Sequence, residues 1–106
     1  MRTTITSDEL KALLRENSEL VILDVRRKAD YEAEKLLIPG AVWRDPEQVE
    51  SWSADLPRDR EVVLYCVKGG SVSQSVSDRL RRENVKACYV EGGLKAWRES
   101  GGEVSG

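Results

Sequence analysis

Apolar residues along this chain fall into two rhythms: short unbroken runs, and runs in which they recur every three or four positions. The first rhythm predicts buried strands and the second predicts amphipathic helices. Ile5 sits in a short opening strand. Thr6 and Glu9 have the T-x-x-E spacing of a capping box, and Leu10, Leu13 and Leu14 form the stripe of a first helix to about Glu16. LVILDV, residues 20–25, is a run rich in β-branched residues and predicts a buried strand. RKADYEAEK follows as a short helix or turn. IPGAVW, 38–43, joins a Pro-Gly turn to a third short strand. PEQVESWSADL, 46–56, predicts a helix that starts at a proline, turns Val49 and Trp52 to one face, and is stopped by Pro57.

EVVLYC, 61–66, is the next strand. Val72, Val76 and Leu80 mark the inward face of a helix ending near Glu83. VKACYV, 85–90, is the last strand, broken by Gly92-Gly93. LKAWRES then forms a final helix with Leu94 and Trp97 inward, and residues 101–106 are expected to fray. Strands alternating with helices predict an α/β fold: a mostly parallel central sheet in three layers, with right-handed crossovers.

The length of 106 residues fits one domain, 1–106, with one core that needs no disulfide or metal. Apolar residues are 40% and charged residues 34%, which suits a soluble globular chain. A formal net charge of −2, with a pI near 5.3, argues against a sequence-independent nucleic-acid binder. No apolar run approaches the roughly 20 residues a membrane helix needs, and MRTTITSDEL has no apolar signal segment. The expected compartment is the cytoplasm, where Cys66 and Cys88 stay reduced. Two cysteines without Cys-x-x-Cys spacing, and no histidine, predict no metal site. The lack of histidine also excludes a Cys–His or Ser–His catalytic pair.

The candidate chemistry lies in VVLYCVKGGSVSQSV, 62–76. Cys66 stands where a buried strand ends, and ligands of parallel α/β sheets bind beyond such strand ends. The following residues, Val67, Lys68, Gly69, Gly70 and Ser71, lead into a helix. Glycines there let successive N–H groups converge on one point, and the positive helix end adds to them, so the loop suits an anion. The same dipoles stabilise a thiolate on Cys66 and supply nucleophilicity without histidine.

Three stretches, in order, carry a resemblance: LDVRRKADYEAEKLLIPGAV (23–42), YCVKGGSVS (65–73) and YVEGGLKAWRESGGEV (89–104). Together they resemble the signatures of single-domain rhodanese-like sulfurtransferases across nearly the whole chain. The resemblance implies a rhodanese-like α/β fold and a two-step covalent mechanism with no cofactor. The Cys66 thiolate would take the outer sulfur of an anionic donor such as thiosulfate. The resulting persulfide would pass it to cyanide, a thiol or an acceptor protein. The amides of Val67 to Ser71 would hold the anions. Neither nucleic acid nor membrane is an expected partner. An alternative within the same chemistry is a persulfide carrier or sulfur-sensing module with little small-molecule turnover.

Two departures stand out. Ser71 puts a neutral hydroxyl where many family loops carry arginine, and Lys68 offers a point charge without a bidentate fork; this bears on thiosulfate preference. Leu36-Leu37 replace a Gly-His that often precedes Ile-Pro-Gly-Ala, which predicts a local packing change. A cysteine phosphatase would need Cys-x5-Arg, and that position is Val72. Cys88 reads as a packed thiol. Asp24 and Arg26 read as structural, capping or pairing under the loops, with Arg26, Arg27 and Arg44 also able to edge the pocket and draw anions. Trp43, Trp52 and Trp97 read as core or pocket wall. Gly92-Gly93 reads as a turn.

Overall fold

The computed structural model describes residues 3–16 and 19–105. Five strands, β1 (Thr4–Ile5), β2 (Val21–Asp24), β3 (Ala41–Trp43), β4 (Glu61–Tyr65) and β5 (Lys86–Val90), form one sheet in the order β1-β5-β4-β2-β3. All four pairings are parallel. Helices α1 (Ser7–Glu16), α2 (Lys28–Ala33), α3 (Val49–Trp52), α4 (Ser71–Arg82) and α5 (Gly93–Glu99) make the crossovers and follow the last strand. The expected α/β class and three-layer arrangement are both present.

The period-2 geometry of the strands splits the core in two. Ile22, Val63, Tyr65, Cys88 and Val90 face one way and pack with Leu10 of α1 and with Leu94 and Trp97 of α5. Leu23, Val62, Leu64 and Ala87 face the other way and pack with Trp52, Val76 and Leu80. Because both faces are covered, β4 reads as a continuous apolar run, with Val62 to Tyr65 all fully buried. The capping box closes as predicted: the Thr6 N–H donates to Glu9 Oε1 at 2.9 Å and the Glu9 N–H to Thr6 Oγ1 at 3.1 Å.

Two expectations are corrected. Residues 46–56 do not form one helix. They break into a 3-10 turn at Pro46–Gln48, the four-residue α3, and a second 3-10 turn at Ser53–Asp55. Trp52 is the anchor: it is buried, and its indole N–H donates to the Asp45 carbonyl at 2.8 Å, drawing the segment into tight turns. Residues 101–105 of the expected frayed tail are tied down; Gly106 lies outside the described residues. Trp97 Nε1 donates to the Glu103 carbonyl at 2.7 Å, and Leu37 and Ser105 exchange backbone hydrogen bonds at 2.8 and 2.9 Å. The Leu36-Leu37 segment thus serves as the tail's pairing partner.

The register sets Asp24 beside Tyr65, and the Val25 N–H donates to the Tyr65 carbonyl at 2.8 Å. The ends of β2 and β4 are therefore neighbours, which brings residues 26–30 and 66–72 to one edge of the sheet.

Candidate active site

Cys66 is the first residue past β4, a free thiol with 6% of its surface exposed. The chain turns there because α5 takes its carbonyls. The Leu94 N–H donates to the Cys66 carbonyl at 2.8 Å and the Lys95 N–H to the Val67 carbonyl at 3.0 Å. Both donors belong to the first turn of α5, whose N–H groups have no partner within the helix. Glycine is required at this contact. Gly93 has φ +61°, and a Cβ there would lie 2.4 Å from the Cys66 carbonyl oxygen; one on Gly69, at φ +71°, would lie 2.8 Å from the Gly92 nitrogen. Gly92-Gly93 is therefore a clamp on the cysteine loop as well as a turn. Gly93→Ala is expected to cost at least about 2 kcal/mol in a urea unfolding curve, from the strained φ and the backbone clash. An unchanged midpoint would show that the clamp yields freely.

With the carbonyls of 66 and 67 held by α5, the N–H groups of Val67, Lys68, Gly69, Gly70 and Ser71 donate to no other described residue. Gly70 is the N-cap of α4, and its carbonyl accepts the Gln74 N–H at 3.2 Å. These residues lead into the positive end of the 12-residue helix α4, next to the sulfur-bearing residue.

A cavity of about 300 Å³ opens over Cys66. The loop supplies one wall through residues 66–68 and 70–72, and Arg26, Arg27 and Asp30 supply the other. Arg26 is itself buried and committed. Its Nε and Nη2 donate to the Asp24 carboxylate at 2.6–3.0 Å, and Nη1 and Nη2 reach the carbonyls of Glu34 and Leu36 at 2.9 and 3.0 Å. Burial works against its charge, but the Asp24 hydrogen bonds and attraction prevail, so the guanidinium is held even more firmly protonated than usual. Tyr65 lies below; burial first, then the Asp24 charge, raises its phenol well above the usual range, and its oxygen accepts the Ile38 N–H at 3.3 Å. Tyr31 stacks on Trp43 at 4.8 Å between centroids, and Trp43 Nε1 donates to the Arg26 carbonyl at 2.9 Å, fixing the start of α2.

Of the residues singled out in the sequence, Cys66, Val67, Lys68, Gly70 and Ser71 line the cavity, and Gly69 turns behind it against Gly92. Arg27 lines it too, whereas Arg44 does not. Cys88 is buried in the core, its sulfur 3.9 Å from Glu61 Oε2. Asp30 was not singled out; its one sequence signal is the three-residue spacing from Arg27, one turn along α2. Among the described residues no cluster of metal-ligating side chains occurs, and no helix is long and apolar enough to cross a membrane.

Residues 6–100 match the Rhodanese-like domain family. A sulfurtransferase from Allochromatium vinosum is 26% identical over 95% of this chain and 92% of its own length. A tRNA sulfurtransferase from Desulfurococcus amylolyticus is 37% identical over 74% of this chain, which spans only 15% of that relative. Among solved structures, a rhodanese-like domain protein from Staphylococcus aureus superposes with a TM-score of 0.82 at 28% identity, covering 99% of this chain and all of that one.

Proposed function

The chain belongs to the Rhodanese-like domain family, and from that membership we propose that it is a sulfurtransferase working through a persulfide on Cys66. The observation that supports this most is the free Cys66 thiol lining an open cavity, followed by loop N–H groups that donate to no described residue. The Cys66 thiolate attacks the outer sulfur of a donor such as thiosulfate. An S–S bond forms on Cys66, the donor S–S bond breaks, and sulfite leaves with the bonding pair. In the second step a thiolate or cyanide attacks the outer persulfide sulfur, and the Cys66 thiolate departs as leaving group.

The amides of Val67, Lys68, Gly69, Gly70 and Ser71 stabilise the negative charge on donor, persulfide and leaving group, and Lys68 adds a full positive charge. Fixed dipoles need no reorganisation during the reaction, so they substitute for the missing histidine. A reducing compartment such as the cytoplasm suits the two free thiols.

The test is to incubate the protein with thiosulfate, inorganic polysulfide and organic persulfides, then record intact and peptide masses. One added sulfur atom on the Cys66 peptide is expected. A protein left unloaded by every donor would refute the reading. Slow release to cyanide or small thiols with fast release to one acceptor protein would assign the carrier role instead.

A further inference from the structure

The side-chain charge around the Cys66 cavity is modest. Arg26 is neutralised by Asp24, so the charges left on its walls are Arg27 and Lys68 against Asp30. Two cations facing one carboxylate leave a single net positive charge. Ser71 supplies a hydroxyl and no charge.

A second cavity, of about 420 Å³, adjoins the first. The two share Arg27, Ser71 and Val72 as lining, so these residues form the rim between them. Beyond that rim it is lined by Glu47 and by Ser75, one turn along α4 from Ser71. Arg27 and Glu47 are both exposed, and neither forms an ion pair among the described residues, with each other or with a third group. The space thus presents an unpaired cation and an unpaired carboxylate, held apart on two segments: Arg27 at the start of α2, and Glu47 in the 3-10 turn fixed by the Asp45 cap at 2.9 Å. Separated opposite charges beside hydroxyls complement a ligand bearing both a carboxylate and an ammonium. The combined volume lies in the range, roughly 300–1,000 Å³, that takes small organic ligands.

We propose that the second cavity is a subsite for amino-acid-type persulfides and thiols, with Arg27 holding the carboxylate and Glu47 the ammonium. The proposal rests on the persulfide reading of Cys66 and adds the class of donor. In the step it favours, the Cys66 thiolate attacks the outer sulfur of R–S–S⁻. The new S–S bond forms on Cys66, the old one breaks, and R–S⁻ leaves with the electron pair and takes its proton from water.

The experiment measures kcat/KM for sulfur loading from cysteine persulfide, from its N-acetyl form, and from the persulfide of uncharged 2-mercaptoethanol, with inorganic polysulfide as reference. The wild-type protein is expected to prefer cysteine persulfide over the uncharged one by about tenfold or more, chiefly through KM. Arg27→Ala should bring that ratio close to one, with Arg27→Lys recovering part of it. Glu47→Gln should erase the preference for cysteine persulfide over its N-acetyl form. Melting curves of each variant separate binding loss from unfolding. A wild-type protein without preference, or an Arg27→Ala change that lowers all donors alike, would overturn the subsite while leaving sulfur transfer standing. Loading by no donor at all, polysulfide included, would overturn both.

Discussion

Replacing Cys66 by alanine is expected to abolish sulfur loading and to lower turnover by at least about a thousandfold, since Cys66 is the thiol lining the cavity and Cys88 does not reach it. The fold should survive. The side chain lost is small, and the contacts that shape the loop are main-chain: Cys66 and Val67 carbonyls to Leu94 and Lys95 amides. A cost of about 1 kcal/mol is expected for one small buried group. Cys88→Ala is the control. Cys88 packs with Ile22, Val63 and Leu94 in the core and should leave loading intact. Loading that persisted in Cys66→Ala but vanished in Cys88→Ala would move the chemistry to the wrong side of the sheet and sink the proposal.

Asp24→Ala should cause the largest loss of stability of any substitution considered, about 3–5 kcal/mol. Asp24 is fully buried and Arg26 is 3% exposed. Removing the carboxylate leaves a buried guanidinium held by two neutral carbonyls, at Glu34 and Leu36, and the Tyr31 ring, with no carboxylate bonded to it. The penalty is the stranded charge, more than the lost attraction. The double substitution Asp24→Leu with Arg26→Met should therefore recover part of the stability that Asp24→Ala loses. Sulfur transfer should fall as well, because Arg26 seats the segment that carries Arg27 and Asp30 to the cavity. Urea unfolding gives the measurement; a loss below about 1 kcal/mol would mean that water reaches the pair.

Most of the sheet was legible in the sequence because its strands are buried on both faces and so read as unbroken apolar runs. The capping box at Thr6 and Glu9 was legible because its partners are three residues apart. Cys66 stood out because a strand end followed by glycines is a local pattern. What escaped was long-range. The tail between Gly101 and Ser105 looks featureless by itself; it is ordered by Trp97 and by Leu37, which is far away in sequence. The break-up of 46–56 follows from Trp52 reaching back to Asp45 and down into the core, against a helical periodicity that was present. Gly92-Gly93 suggested a turn, but the need for glycine comes from the backbone of residues 66–69 pressing on it. The neutralisation of Arg26, which leaves Arg27 as the cation facing the cavity from α2, shows only in the folded geometry.

The contact of α5 with the cysteine loop has a consequence for synthesis on the ribosome. Strands β2 and β4 can be translated and begin to pair, yet the carbonyls of 66 and 67 have no donors until Leu94 and Lys95 emerge. β1, made before α1 and β2, likewise waits for β5 to complete its edge. The cysteine loop thus acquires its final setting only once the first turn of α5 has been made and docked.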